Sequence, residues 1–165
     1  MYELKPLSRD AIPEALSKVE RYRLLNEPAE AESICRDVLR ADPGNQQALV
    51  MLVLTLTDQF HRGLSAKEAK DLIPQLRNEY ERAYYSGIIC ERWAKALYEH
   101  DRPGSGYTAY DFFREAMDWY DKAEALRPPG NDDAILRWNT CARLLMRDPR
   151  LQPRPEEGTE ALLLE

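Results

Sequence analysis

Cysteine and histidine are scarce in this 165-residue chain, which has three of the first and two of the second. Cys35, Cys90 and Cys141 are odd in number and far apart, so neither a disulfide framework nor a Cys-x-x-Cys metal pair is present. His61 and His100 stand alone, without a second ligand at metal-binding spacing. The expectation is a reducing compartment, no metal and no cofactor. Long apolar runs are also missing. The most apolar stretch, Ala48 to Leu56, is too short to span a bilayer. The start, Met1-Tyr2-Glu3-Leu4-Lys5-Pro6, lacks the apolar core of a signal peptide. Basic charge is in deficit: 23 Lys and Arg stand against 29 Asp and Glu, a net −6. That balance opposes a phosphate backbone and an anionic leaflet. Neither nucleic acid nor membrane insertion is expected, and the chain is expected in the cytoplasm.

What is present suits a folded helical protein, with 44% apolar and 32% charged residues. Residues 1–11 read as a lead-in. From there apolar residues recur at three- and four-residue steps: Ala15, Leu16, Val19 and Tyr22, then Ala31, Ile34, Cys35 and Val38. Pro28 starts the second of these helices and Asp42-Pro43-Gly44-Asn45 stops it. A third helix is predicted from Gln46 to Phe60. Ser65-Ala66-Lys67-Glu68 has the form of a capping box for a fourth, which Pro74 ends or kinks. A long helix follows over 79–100, a flexible Asp101–Gly106 loop, a helix over 110–126, and a last helix capped by Asp132 or Asp133 and running to Met146. Pro149, Pro153 and Pro155 set 147–165 apart as an extended tail that closes on Leu162-Leu163-Leu164-Glu165.

A period of 34 residues runs through the first helices: Ala15, Val19 and Tyr22, then Leu49, Val53 and Leu56, then Ala83, Gly87 and Cys90. The second helices each offer a small residue, Ala31, Ala69 and Ala116, followed four residues on by Cys35, Ile73 and Tyr120. Antiparallel helices approach closely where side chains are small, so Val19 against Ala31 and Gly87 against Ala116 are the expected contacts. One hairpin cannot bury its apolar face alone, so the units must stack. This pattern resembles the tetratricopeptide repeat family. The best match is 12–45, through Tyr22, Ala31, Val38, Leu39 and Asp42-Pro43-Gly44-Asn45. The second unit has four extra residues near His61–Leu64, and the third has an insertion around 101–109. The resemblance implies an all-α, right-handed superhelical stack of about three hairpins plus a C-terminal capping helix, over 12–146. It also implies a concave face, built by the first helices, that binds a peptide or a partner helix.

On that implied face the register places Leu16, Glu20 and Arg23, then Val50, Leu54 and Asp58, then Tyr84, Ile88 and Glu91. Such a mixed apolar and acidic lining suits an apolar or basic peptide. The Lys/Asn clamp by which some family members hold acidic tails is absent, because Leu16 and Glu20 occupy its places. Twelve aromatic residues from Tyr80 to Trp138 crowd the later part of the chain, as core or as anchors in a groove. Gly104-Ser105-Gly106 lacks the Gly-Lys-Ser/Thr ending of a phosphate loop and follows a helix, which leaves a connector. No nucleophile–base arrangement can be argued, so catalysis is not expected. The expected function is a non-enzymatic scaffold or adaptor for another protein. The alternatives are a chaperone-like carrier of a secreted or assembling protein, and a self-associating structural protein that forms a homodimer through the aromatic half and the Leu162–Leu164 tail.

Overall fold

Proline and asparagine punctuate the chain into helices whose ends follow from local chemistry. The computed structural model describes residues 1–156. Seven α-helices make up the described residues, without strands: α1 (Ile12–Leu24), α2 (Pro28–Ala41), α3 (Gln46–Thr57), α4 (Lys67–Leu72), α5 (Glu79–Glu99), α6 (Ser105–Leu126) and α7 (Asp133–Arg147). Pro13 and Pro28 sit in first turns, where the missing N–H costs nothing. Asn45 caps α3 by accepting from the Ala48 amide at 2.9 Å, and Asn78 caps α5 by accepting from Glu81 at 3.0 Å. Pro74 stops α4, which hands over to a 3₁₀ turn at Ile73–Gln75.

The 34-residue register appears as burial, and the fold is helical and repeat-like. Ala15, Val19, Leu49, Val53, Leu56, Ala83, Gly87 and Cys90 are all buried, with Tyr22 partly so. Ala31, Ala69 and Ala116 have no exposed surface. The core runs through the stack in three contiguous clusters. The first joins α1, α2 and α3 through Leu16, Val38 and Ala48. The second carries Val19, Ala31, Val53 and Phe60 on to Ile89 and Ala96 of α5. The third packs α5, α6 and α7 around Phe113, Met117 and Tyr120.

Several local expectations are corrected. Ser65 does not form the reciprocal capping box: its Oγ accepts from the Lys67 amide at 3.1 Å, and Glu68 reaches Arg36 of α2 at 2.8 Å instead. The ion pair with α2 outcompetes the local bond. The 101–109 insertion is mostly helix, since α6 begins at Ser105. The turn is made by Asp101 and Gly104, both at positive φ, 43° and 79°. Gly106, expected in a flexible loop, is packed against the Arg150 backbone so closely that a Cβ there would collide with the Arg150 carbonyl. Neither Asp132 nor Asp133 caps α7 with its side chain. Asn131 accepts from the Asp133 amide at 3.0 Å, while Asp132 pairs with Arg127 at 3.2 Å. The close approach at Gly87 is made by the Tyr120 ring rather than by Ala116: a Cβ on Gly87 would lie 2.5 Å from Tyr120 Cε1. The segment after α7 is not detached at its start. Leu151 is 3% exposed and belongs to the third cluster, and Asp148 accepts from the Tyr98 hydroxyl. Leu162–Leu164 lie outside the described residues.

Candidate interaction face

Asp58, at the C-terminal end of α3, receives two arginines from its neighbours. Arg23 of α1 donates through Nε at 2.8 Å and Nη2 at 3.3 Å, a two-pronged grip on the carboxylate. Arg92 of α5 donates through Nη1 at 2.6 Å, and the same nitrogen donates to Thr57 Oγ1 at 2.7 Å. Arg23, Arg92 and Asp58 are each about a quarter exposed, at 22%, 22% and 25% of their side chains.

One residue along α5, Glu91 is wholly buried. Its carboxylate accepts from Lys95 Nζ at 2.6 Å, Tyr120 Oη at 2.9 Å, Arg137 Nη1 at 3.3 Å and Cys141 Sγ at 3.5 Å. Donors from α5, α6 and α7 thus converge on one anion, which is what a buried charge requires. Burial alone would raise the Glu91 pKa. Lys95, Arg137 and the Tyr120 hydroxyl outweigh it and hold the carboxyl below its ordinary value. Arg92 is shifted down, chiefly by burial, which Asp58 offsets only in part; Arg23 and Arg137 add to the lowering. Those arginines are therefore close enough to repel one another. Burial pulls Arg137 down as well, but the Glu91 carboxylate reverses the sign.

The result is a polar seam across α1, α3, α5 and α7 in which four cations, Arg23, Arg92, Lys95 and Arg137, face two carboxylates, Asp58 and Glu91. Glu99 lines the same pocket as Arg92 and Lys95. Of the residues the register placed on one face, Arg23 and Asp58 are brought together here. Leu54 and Tyr84 are partly buried and pack against the third core cluster. Val50 is partly exposed and Glu20 is exposed. Leu16, Ile88 and Glu91 are corrected: at 5%, 1% and 0% exposure they line the core and cannot line an open groove. The acidic lining expected at Glu91 is therefore not on the surface.

Arg92, Lys95, Arg137, Thr57 and Tyr120 were missed as members of the seam. Part of the signal was legible, since Asp58 and Arg92 are 34 residues apart, the period already read from the apolar positions. The aromatic residues differ in burial. Phe113 and Tyr120 are core, while Tyr80 stacks on Tyr84 at 5.7 Å and Tyr84 lies edge-on to Tyr85 at 5.1 Å, all three partly exposed. The cysteines are buried thiols: burial raises Cys35, Cys90 and Cys141 to about 12, with Glu91 adding to the effect at Cys141. No helix among the described residues is long and apolar enough to cross a membrane. Compared with protein-family models, curated proteins and solved structures, the chain matches none.

Proposed function

We propose that this chain is a non-enzymatic protein–protein interaction module, a cytoplasmic scaffold or adaptor that holds a peptide or helix of another protein. The observation that carries the reading is the seam of Arg23, Arg92, Lys95 and Arg137, four cations from three helices that pair with Asp58 and Glu91. A partner helix laid across α1, α3, α5 and α7 would meet partly exposed Tyr84 and Leu54 beside those cations. Aromatic and arginine side chains of this kind are effective anchors at interfaces. Arg23 and Arg92, each about a quarter exposed, favour a partner segment that carries carboxylates next to apolar residues. That replaces the expectation of an apolar or basic peptide, because Glu91 is turned inward.

The test is affinity capture from host lysate, with the parent chain and an Arg23→Gln, Arg92→Gln variant as baits. These positions are preferable to Leu54 and Tyr84, whose substitution by charged residues would disturb the core they pack on. Matched helicity by circular dichroism controls for folding. One or two proteins retained by the parent and lost by the variant would support the reading. An identical set on both baits would remove this face from consideration.

Self-association is the second reading, and Leu24 and Leu25 favour it. They adjoin at the α1–α2 turn and are 88% and 62% exposed. Light scattering over a concentration range separates a homodimer from a monomeric adaptor.

A further inference from the structure

The α5–α6 hairpin carries a groove on the side away from α7. Its widest part, about 680 Å³, lies between Ala83 of α5, Trp119 and Leu126 of α6, and the Ile73–Pro74 turn. A second compartment of about 310 Å³ extends it past Ile89, Cys90 and Glu115. A third, of about 510 Å³, lies near the bend of the hairpin between Leu97 and Thr108 and is walled by Arg154.

These compartments lie along one line. On a helix of 3.6 residues per turn, Thr108, Glu115, Trp119, Lys122 and Leu126 share one stripe of α6 about 60° wide. Ser86, Cys90 and Leu97 share the facing stripe of α5 by the same rule. The compartment at Thr108 and the groove over Trp119 therefore open on the same side of the hairpin.

The chain after α7 is delivered to the open end of this line. Leu151 anchors it in the third core cluster, and the Arg150 carbonyl sits against Gly106. Arg154 then lies over the Tyr107 ring at 5.7 Å and donates to Thr108 Oγ1 at 3.4 Å. From Gly106 to Tyr107 to Thr108 the segment passes around the first turn of α6, from the α7 side toward the groove.

We propose that the apolar run Ala161–Leu164 of this same chain, which lies outside the described residues, occupies the groove over Trp119. The reach agrees. Eight residues separate Arg154 from Leu162, about 26 Å of extended chain. Eleven residues of α6 separate Thr108 from Trp119, about 17 Å, and eighteen separate it from Leu126, about 27 Å. The chemistry agrees as well. Three leucines would cover Ile73, Pro74, Trp119 and Leu126, which the described residues leave open. Glu160 and Glu165 flank the leucines, and Lys70, Arg82 and Lys122 stand around the groove with Glu79 and Glu115. This surface is separate from the cationic seam and stands independently of it.

The experiment is cysteine trapping in the full chain. Ala125→Cys at the groove is paired with Leu163→Cys, and Cys90, which lines the second compartment, is replaced by alanine in every variant. A Glu20→Cys, Leu163→Cys pair, with the first substitution on α1, serves as the control. Mild oxidation at low micromolar concentration, followed by mass analysis, reads the product. A disulfide between the two introduced thiols of one monomer, formed at least ten-fold faster than the control bridge, is the expected result. A bridged dimer would assign the groove to a second copy and overturn the proposal. Equal rates for the two pairs, or no bridge at all, would overturn it too. The second measurement is a Leu162→Asp, Leu163→Asp, Leu164→Asp variant, whose folding is checked by urea titration. Its Trp119 indole N–H resonance should shift, and an unmoved resonance would likewise sink the idea.

Discussion

The Tyr120 hydroxyl donates to the Glu91 carboxylate at 2.9 Å, and neither side chain has any exposed surface. The bond joins the middle of α6 to the middle of α5 and orients the ring that closes over Gly87. A buried acid and a glycine thus depend on one tyrosine.

Removing the charge at Glu91 should be costly. Glu91→Gln leaves Lys95 and Arg137 without their counter-ion, and the expected loss of unfolding free energy is about 3 kcal/mol at neutral pH. Urea titration of parent and variant measures it. The sign of the pH dependence follows from the lowered pKa of Glu91 in the folded state. Its contribution is complete above the unfolded carboxylate pKa of about 4.3 and is lost as pH falls through the folded value. The gap between parent and variant should therefore be constant from neutral pH down to about pH 5 and shrink in stronger acid. A gap that widened in acid would contradict the assignment.

Gly87→Ala sets two effects against each other. Alanine favours a helix interior by about 1 kcal/mol over glycine. Its Cβ, however, would meet the Tyr120 ring at 2.5 Å on a residue with no free space around it. Overpacking of that kind costs about 1–3 kcal/mol, so a net loss is expected. Thermal unfolding beside Ser86→Ala, one position away and partly exposed, reads the difference.

All three thiols should be silent in the native protein. Cys35, Cys90 and Cys141 are 0%, 3% and 1% exposed, and burial lifts each to about 12, far above the ordinary thiol. A colorimetric thiol reagent at pH 8 should titrate none of them until urea unfolds the chain, and then all three. A rapid native reaction at any one of them would show that its cluster opens locally.

Gly106→Ala should free the segment after α7. The added Cβ collides with the Arg150 carbonyl, and the segment rather than α6 would give way. Trypsin cleavage after Arg150 should quicken several-fold, while the urea midpoint falls only slightly. Gly104→Ala, which strains a backbone at φ 79°, should instead lower the unfolding free energy by about 1 kcal/mol without a matching change in cleavage.

Much of the fold was legible because apolar period and breakers are local signals. The bounds of α1, α2 and α3 follow from Ala15, Val19, Pro28 and the Asp42–Asn45 stop to within a few residues. The start of α6 was not legible, because Gly104-Ser105-Gly106 reads as a loop until the Arg150 backbone is seen to need the space at Gly106. Ser65 and Glu68 misled for the same reason, since Arg36 of another helix competes for the glutamate. The candidate face was half legible. Arg23 and Asp58 follow from the register, but Glu91 carries the sequence marks of a solvated acid. Only the convergence of Tyr120, Lys95, Arg137 and Cys141 reveals that it is inside.

The pairing of Asp58 with Arg23 and Arg92 has a consequence for how the molecule comes apart. Those partners lie 35 and 34 residues away, and the longest side-chain hydrogen bonds among the described residues span 50. Each such link fastens a hairpin to its immediate neighbour, so no link among the described residues ties α1 to α7. Coupling of this nearest-neighbour kind lets unfolding advance one unit at a time. The thin middle unit, whose second helix is only the six residues of α4, is the natural place for the column to divide.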